Sequence, residues 1–155
     1  MTPGSIDLKI VRDRLKLVSE HIDELRTLPA GSFDDFAADH RNPRAAEALL
    51  RRTIEALFDV ARHLLAKGFG LGPLEYREVA RLAAQRGFIQ DETLAERMEQ
   101  IAGFRNRLTH HYEDVTTHEL FGVVSTELGD LASLADELRR TAARLVVSPP
   151  SPIGL

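Results

Sequence analysis

The sequence predicts an all-α fold, an antiparallel four- to five-helix bundle made of about four long helices with one or two short ones between them. Two observations carry this. Apolar residues recur at alternating steps of three and four through most of the chain, which is the helical period and not the period of two that a half-buried strand shows. The breaks between these runs hold proline, glycine and helix-capping residues, and no alternating stretch or convincing internal repeat interrupts the pattern.

The first helix is expected over residues 5–28, where Leu8, Val11, Leu15, Val18, Ile22 and Leu25 form the seam, Ile10 and Leu17 widen it, and Pro29 and Gly31 end it. Residues from Ser32 suit a short turn of helix with Phe33 and Phe36 packed inward. Asn42 before Pro43 reads as an N-cap with proline at the first helical position, opening a helix to about Lys67. Its seam is Leu50, Ile54, Leu57, Ala61 and Leu64, broadened by Leu49, Phe58 and Leu65, so it should be the most buried helix.

The run from Gly68 to Gly72 is glycine-rich, but it follows a helix, ends in Pro73 and lacks the spacing of phosphate-binding loops, so it is expected to be a helix end and connector. A shorter helix from Pro73 to Arg86 follows, with Val79, Leu82 and Ala83 inward and Gly87 at its end. Asp91 caps the next helix, whose seam is Leu94, Met98, Ile101 and Leu108. Thr116 and Glu119 have the spacing of a capping box that opens one last helix of about seven turns, with Leu120, Val124, Leu128, Leu131, Ala135, Leu138, Ala142 and Leu145 as its stripe. Residues 1–147 should form one domain, and residues 148–155, rich in proline, a flexible tail.

Composition narrows the function classes. Cysteine is absent, which removes disulfides, thiolate metal sites and thiol nucleophiles. No apolar run approaches the ~20 residues of a membrane helix, and the first residues show no secretory pattern, so a cytoplasmic protein is expected. A net charge of −4 argues against a protein that coats many phosphates, while leaving room for a small site with a few arginines. Arg41, Arg44, Arg51 and Arg52, with Arg105 and Arg107, would make a local positive patch or simply a solvated face. His110, His111 and His118 lack the spacing of three ligands on one helical face, and there is no His-Glu-x-x-His, so neither a metal site nor a cofactor is expected.

Chemically versatile side chains concentrate between Ile101 and Asp114. The four-three step of the seam places Arg105 where an aliphatic residue belongs. A desolvated guanidinium there needs a carboxylate, a phosphate or a subunit partner, which leaves two readings open: an interface or cleft, or a structural ion pair with a neighbouring helix. Asn106 and His110, four apart, share a helical face, whereas Arg105 and His110, five apart, are about 140° out of line unless the helix frays near Thr109 or a second copy supplies the partner group.

Arg105-Asn106-x-Leu108-x-His110-x-Tyr112 resembles the Arg-x4-His-x-Tyr signature of the HEPN superfamily, in particular of HepT-like ribonuclease toxins encoded beside a minimal nucleotidyltransferase antitoxin. The resemblance covers roughly residues 5–145, since helical composition, length and the late position of the motif agree with it. One departure is His111 at the variable position, a second imidazole beside the first. The resemblance implies a toxin acting as a metal-independent RNA endonuclease, with Arg105 holding phosphate, His110 as general acid or base and Asn106 in support. It also implies a homodimer that joins two Arg/His pairs in one cleft, and silencing by AMP groups placed on Tyr112 by the antitoxin. Arg107 and His111 are candidate RNA contacts. The chemistry suits these side chains, because imidazole exchanges protons near neutrality and a guanidinium fork fits phosphate oxygens. Two other readings stand beside it: a non-catalytic HEPN bundle that binds a nucleotide or a partner nucleotidyltransferase, and a plain helical interaction protein.

Overall fold

The structure is a computed structural model that describes residues 4–73 and 75–150. Among these are seven α-helices, α1 Leu8–Arg26, α2 Phe33–Ala37, α3 Arg41–Phe69, α4 Tyr76–Gln85, α5 Glu92–His110, α6 Thr117–Thr126 and α7 Leu128–Val147, with a 3-10 turn at Tyr112–Asp114 and no strand. None of the helices is long and apolar enough to cross a membrane. The all-helical class read from periodicity is therefore the observed one.

The long helix α3 is the hub, and it packs against every other α-helix. Its predicted seam is buried throughout, and Ala46, Ala56 and Val60 join it, so apolar residues face neighbours almost all round. On α1, Val11, Leu15, Val18, Ile22 and Leu25 are buried as the spacing requires, whereas Leu8 and Ile10 stay exposed. Leu17 is half-buried against the core, so the stripe is widened there as the sequence suggested but not at Ile10.

Helix ends differ from expectation in informative ways. Asn42 does not cap α3, which begins one residue earlier at Arg41; its side-chain amide instead donates to the Phe36 carbonyl at 3.1 Å and ties α2 to α3. Pro43 fits inside the first turn, where a missing N–H leaves nothing unsatisfied. The helix also runs past Gly68 to Phe69. Gly70, at φ 70°, is the left-handed cap, with its N–H on Ala66 O and that of Leu71 on Leu65 O. Gly68 lies inside the helix against Leu145 of α7. The next helix starts at Tyr76, not Pro73, and its buried face is Val79, Ala80 and Ala83, with Leu82 half-buried.

The last helix is two. α6 ends at Thr126 and α7 starts at Leu128, with Glu127 at φ −116° and ψ 1° between them. Just before this joint, Ser125 and Thr126 turn their hydroxyls back onto the Phe121 and Gly122 carbonyls at 2.7 and 2.6 Å, a local bonding pattern that weakens and bends a helix. Across the joint, Arg97 of α5 meets both Glu127 and Asp130, at 3.3 and 3.2 Å, and fixes the bend. The short α2 is pinned by Phe36, fully buried, and by Phe33, whose ring stacks on His118 of α6 with centroids 3.5 Å apart.

His63 on α3 fixes the start of α1, since its Nε2 accepts the Asp7 N–H at 2.9 Å while the Asp7 carboxylate caps Lys9 and Ile10. Burial pushes the His63 pKa down; nearby Asp7 pulls it up and Lys67 pushes it further down. With a folded value below the unfolded ~6.5, the folded state binds fewer protons, so this contribution is complete above about pH 6.5 and is lost as pH falls through the folded value. Urea denaturation between pH 7.5 and 5 should show a stability loss that His63→Gln reduces.

Candidate functional site

The site is set by the course of α5. Asp91 starts it, accepting from the Thr93 and Leu94 N–H groups at 2.9 and 3.2 Å, and the helix continues without a fray through Thr109 to His110. Because it is unbroken, Arg105 and His110 leave it in directions about 140° apart.

Arg105 points at α3 and α4. Its Nη2 lies 2.8 Å from Glu55 Oε2, its guanidinium carbon sits 4.0 Å above the Tyr76 ring centre, and its side chain is 16% exposed. Within one chain, then, the ion pair with a neighbouring helix is the arrangement that accommodates this arginine on its apolar seam. Its Nε is buried with no acceptor among the described residues, a desolvated donor that the ion pair leaves unsatisfied. Glu55 also meets Arg51 at 3.4 Å, which places one carboxylate between two arginines. Burial pushes the Tyr76 phenol up, so a neutral ring faces the cation. Glu55→Ala would strand a mostly desolvated guanidinium; a stability loss of roughly 1–3 kcal/mol is expected in urea denaturation, and a smaller one for Glu55→Gln.

Arg107 turns the other way. Its two terminal nitrogens take both Glu119 oxygens at 2.5 and 2.8 Å and the Asp114 carbonyl at 3.1 Å, closing the turn after α5 against α6. The Glu119 carboxylate raises its pKa further. Glu119 therefore serves Arg107, and only the Thr116 half of the expected capping box is made, at 3.1 Å to the Glu119 N–H. Asn106 is half-buried on the face it shares with His110, which is the last helical residue and exposed. His111, at φ −138°, leaves the helix and is exposed, and Tyr112 stands 58% exposed at the head of the 3-10 turn.

The expected arginine patch is largely neutralised. Arg41 is bound to Asp39, whose carboxyl it holds at about 2, and Arg51 to Glu55, while Arg44 and Arg52 are at the surface or nearly so. Among the described residues no cluster of His, Asp and Glu is arranged to hold a metal ion.

Beside the motif, a cleft of about 540 Å³ runs along α5, floored by Leu50 and Ile54 of α3 and walled by α6 and α7. Ile101 and Phe104 face it, and Arg77, Arg97 and Arg107 rim it. Sequence reasoning missed Glu55, Tyr76, Arg77 and Glu119, which lie on other helices and have no spacing relation to the motif. One local signal existed: Gly103, a glycine in the interior of a helix, where close approach by another group is a usual reason for it.

In this helical bundle Arg105, His110 and Tyr112 lie in the last turns of the fifth helix and just beyond it. Solved HEPN toxins have the same fold: a tri-AMPylated Shewanella oneidensis HEPN toxin in complex with its MNT antitoxin aligns at TM-score 0.75 and 22% identity, covering 84% of this chain and 97% of that one. A toxin–antitoxin crystal structure with AMP-PNP aligns at 0.74 and 22%, covering 83% and 97%. Residues 18–138 match the family described as Ribonuclease HepT-like, and the chain belongs to that family. A relative named tRNA nuclease HepT, from Aphanizomenon flos-aquae (strain 2012/KM1/D3), is 27% identical over 125 residues, which is 80% of this chain and 84% of that protein.

Proposed function

We propose that this chain is the toxin of a toxin–antitoxin pair: a cytoplasmic, metal-independent RNA endonuclease that works as a homodimer and is silenced by AMPylation of Tyr112 by a minimal nucleotidyltransferase. The observation that carries this is membership of the HepT-like ribonuclease family with Arg105, His110 and Tyr112 all present. The name of the Aphanizomenon relative supports tRNA as the substrate class, and the AMPylated Shewanella toxin bound to its MNT antitoxin supports the mode of control.

In the proposed reaction a base removes the 2′-hydroxyl proton, the 2′-oxygen attacks phosphorus, and the bond to the 5′-oxygen breaks as that oxygen takes a proton. The products are a 2′,3′-cyclic phosphate and a 5′-hydroxyl. His110, exposed at the helix end, is the general base or acid, and Asn106 on the same face orients imidazole or phosphate. Arg105 supplies the positive charge that binds the phosphorane-like transition state. Because Arg105 and His110 diverge within one chain, the site needs a second copy to pair them, and a two-fold arrangement of α5 helices supplies it.

The Arg105–Glu55 pair favours a second reading, a non-catalytic bundle that binds a nucleotide or a nucleotidyltransferase, in which Arg105 is structural. One experiment separates them. Purified chain incubated with total tRNA in EDTA should release fragments ending in cyclic phosphate, and light scattering at micromolar concentration should give twice the 17.3 kDa chain mass. Intact tRNA, or a monomer, would favour the second reading.

A further inference from the structure

α4 grips α5 from two sides with consecutive residues. Tyr76 lies under Arg105, and Arg77 reaches round to Gly103. A Cβ built on Gly103 would lie 2.7 Å from Arg77 Nη2 and 3.3 Å from its Cζ, so the guanidinium rests where any other residue would put a side chain. A glycine inside a helix costs roughly 1 kcal/mol relative to alanine, and here that cost makes room for an arginine.

Arg77 also differs from its neighbours in the cleft. Arg97 is met by Glu127 and Asp130, and Arg107 by Glu119, while Arg77 meets no carboxylate and no ring among the described residues. These pairs leave the cleft close to neutral, so an anion would be held there by direct contact with Arg77 and not drawn in by a broad field. The direction of the group is equally specific. Gly103 and His110 are seven residues apart and fall within about 20° of one another, about 10 Å apart along the axis, with Asn106 and Arg107 between them on the same face. Of the two guanidiniums on the His110 face of one chain, Arg107 is held by Glu119 and Arg77 meets no carboxylate among the described residues, whereas Arg105 faces α3. At this separation Arg77 cannot reach the phosphate that His110 works on, but it can reach another phosphate of the same strand.

We propose that Arg77 is a substrate-positioning residue that binds a flanking phosphate of the RNA on the His110 face of α5, held in place by the space at Gly103. This rests on the nuclease reading above and adds to it the register of the strand. The test is steady-state cleavage of total tRNA by the parent, Arg77→Ala, Arg77→Lys and Gly103→Ala, with dimer mass measured for each. Loss of one charge-assisted phosphate contact should raise KM about tenfold with kcat within about twofold, and Arg77→Lys should fall between. One contact fewer should also flatten the dependence of log KM on log salt by about 0.7, a change that a purely structural role would not produce.

Gly103→Ala keeps the charge and shifts only the flexible end of the Arg77 side chain, so its KM should lie between those of the parent and Arg77→Ala with thermal stability equal to or above the parent's, and the double variant should be no worse than Arg77→Ala. An active parent with unchanged KM and salt dependence in Arg77→Ala overturns this inference alone. So does a fall in kcat accompanied by loss of the dimer, which would make Arg77 an interface residue. A parent that cleaves no tRNA overturns the nuclease reading and this inference with it.

Discussion

Mixed dimers of Arg105→Ala and His110→Ala chains should recover about a quarter of the parent's tRNA cleavage, although each variant alone loses ~10²–10⁴-fold. The expectation follows from the direction of the two side chains. α5 carries both without a break, so they leave it about 140° apart, and Arg105 is directed at Glu55 and Tyr76. If Arg105 of one copy works with His110 of the other, a mixed dimer has one site with both groups intact and one with neither. Random pairing makes half the dimers mixed, hence a quarter of the sites. His111→Ala should keep most activity, because His111 has left the helix and does not share the Asn106 face. Recovery near zero, with both variants dimeric by light scattering, would show that the groups do not pair one-to-one across the interface. A dead His111→Ala beside an active His110→Ala would move the catalytic role by one residue.

What could be read from the sequence, and what could not, follows from the range of the interactions. The seams of α1, α3 and α5 were visible because helix periodicity is local, and Val11 to Leu25 or Leu50 to Leu64 are buried as their spacing demands. The joint at Glu127 was hidden, because Leu120, Val124, Leu128 and Leu131 keep the helical step across it and the same core faces both halves. What bends the chain there is two hydroxyls turned onto carbonyls and an arginine from thirty residues earlier. The motif residues were found where the sequence put them, at the end of α5, but their partners were not. Glu55 lies fifty residues before Arg105, and Glu119 twelve after Arg107, and nothing in spacing selects them among the other carboxylates. These pairings change what each arginine can do. Arg107, a candidate RNA contact in the sequence, is committed to holding the turn that carries Tyr112.

That turn is the setting for the last expected result: Tyr112→Phe should cut tRNA like the parent and escape silencing when the partner nucleotidyltransferase and ATP are present. Tyr112 is 58% exposed, and its hydroxyl meets no partner among the described residues, so the packing role most tyrosines play is largely unused here. Its backbone, by contrast, is held: the Val115 N–H bonds to its carbonyl at 3.2 Å, the Asp114 N–H bonds to His111 at 2.9 Å, and Arg107 ties the Asp114 carbonyl to α5. An exposed nucleophile on a fixed turn suits transfer of an AMP group, in which the phenol oxygen bonds to the α-phosphate of ATP and pyrophosphate leaves. The attached group would stand two residues from His110, adding bulk and negative charge beside the place proposed for substrate phosphate. Arg105 and Arg107 already face carboxylates, so repulsion and steric exclusion, more than new ion pairs, would carry the inhibition. Removing a solvent-exposed hydroxyl should change stability by no more than about 0.5 kcal/mol, which keeps the variant a fair test. Intact-mass spectrometry after co-expression should show one or more AMP additions on the parent and none on Tyr112→Phe. A parent neutralised without any added mass would mean that the partner acts by binding alone, and a Phe variant still carrying AMP would place the acceptor elsewhere.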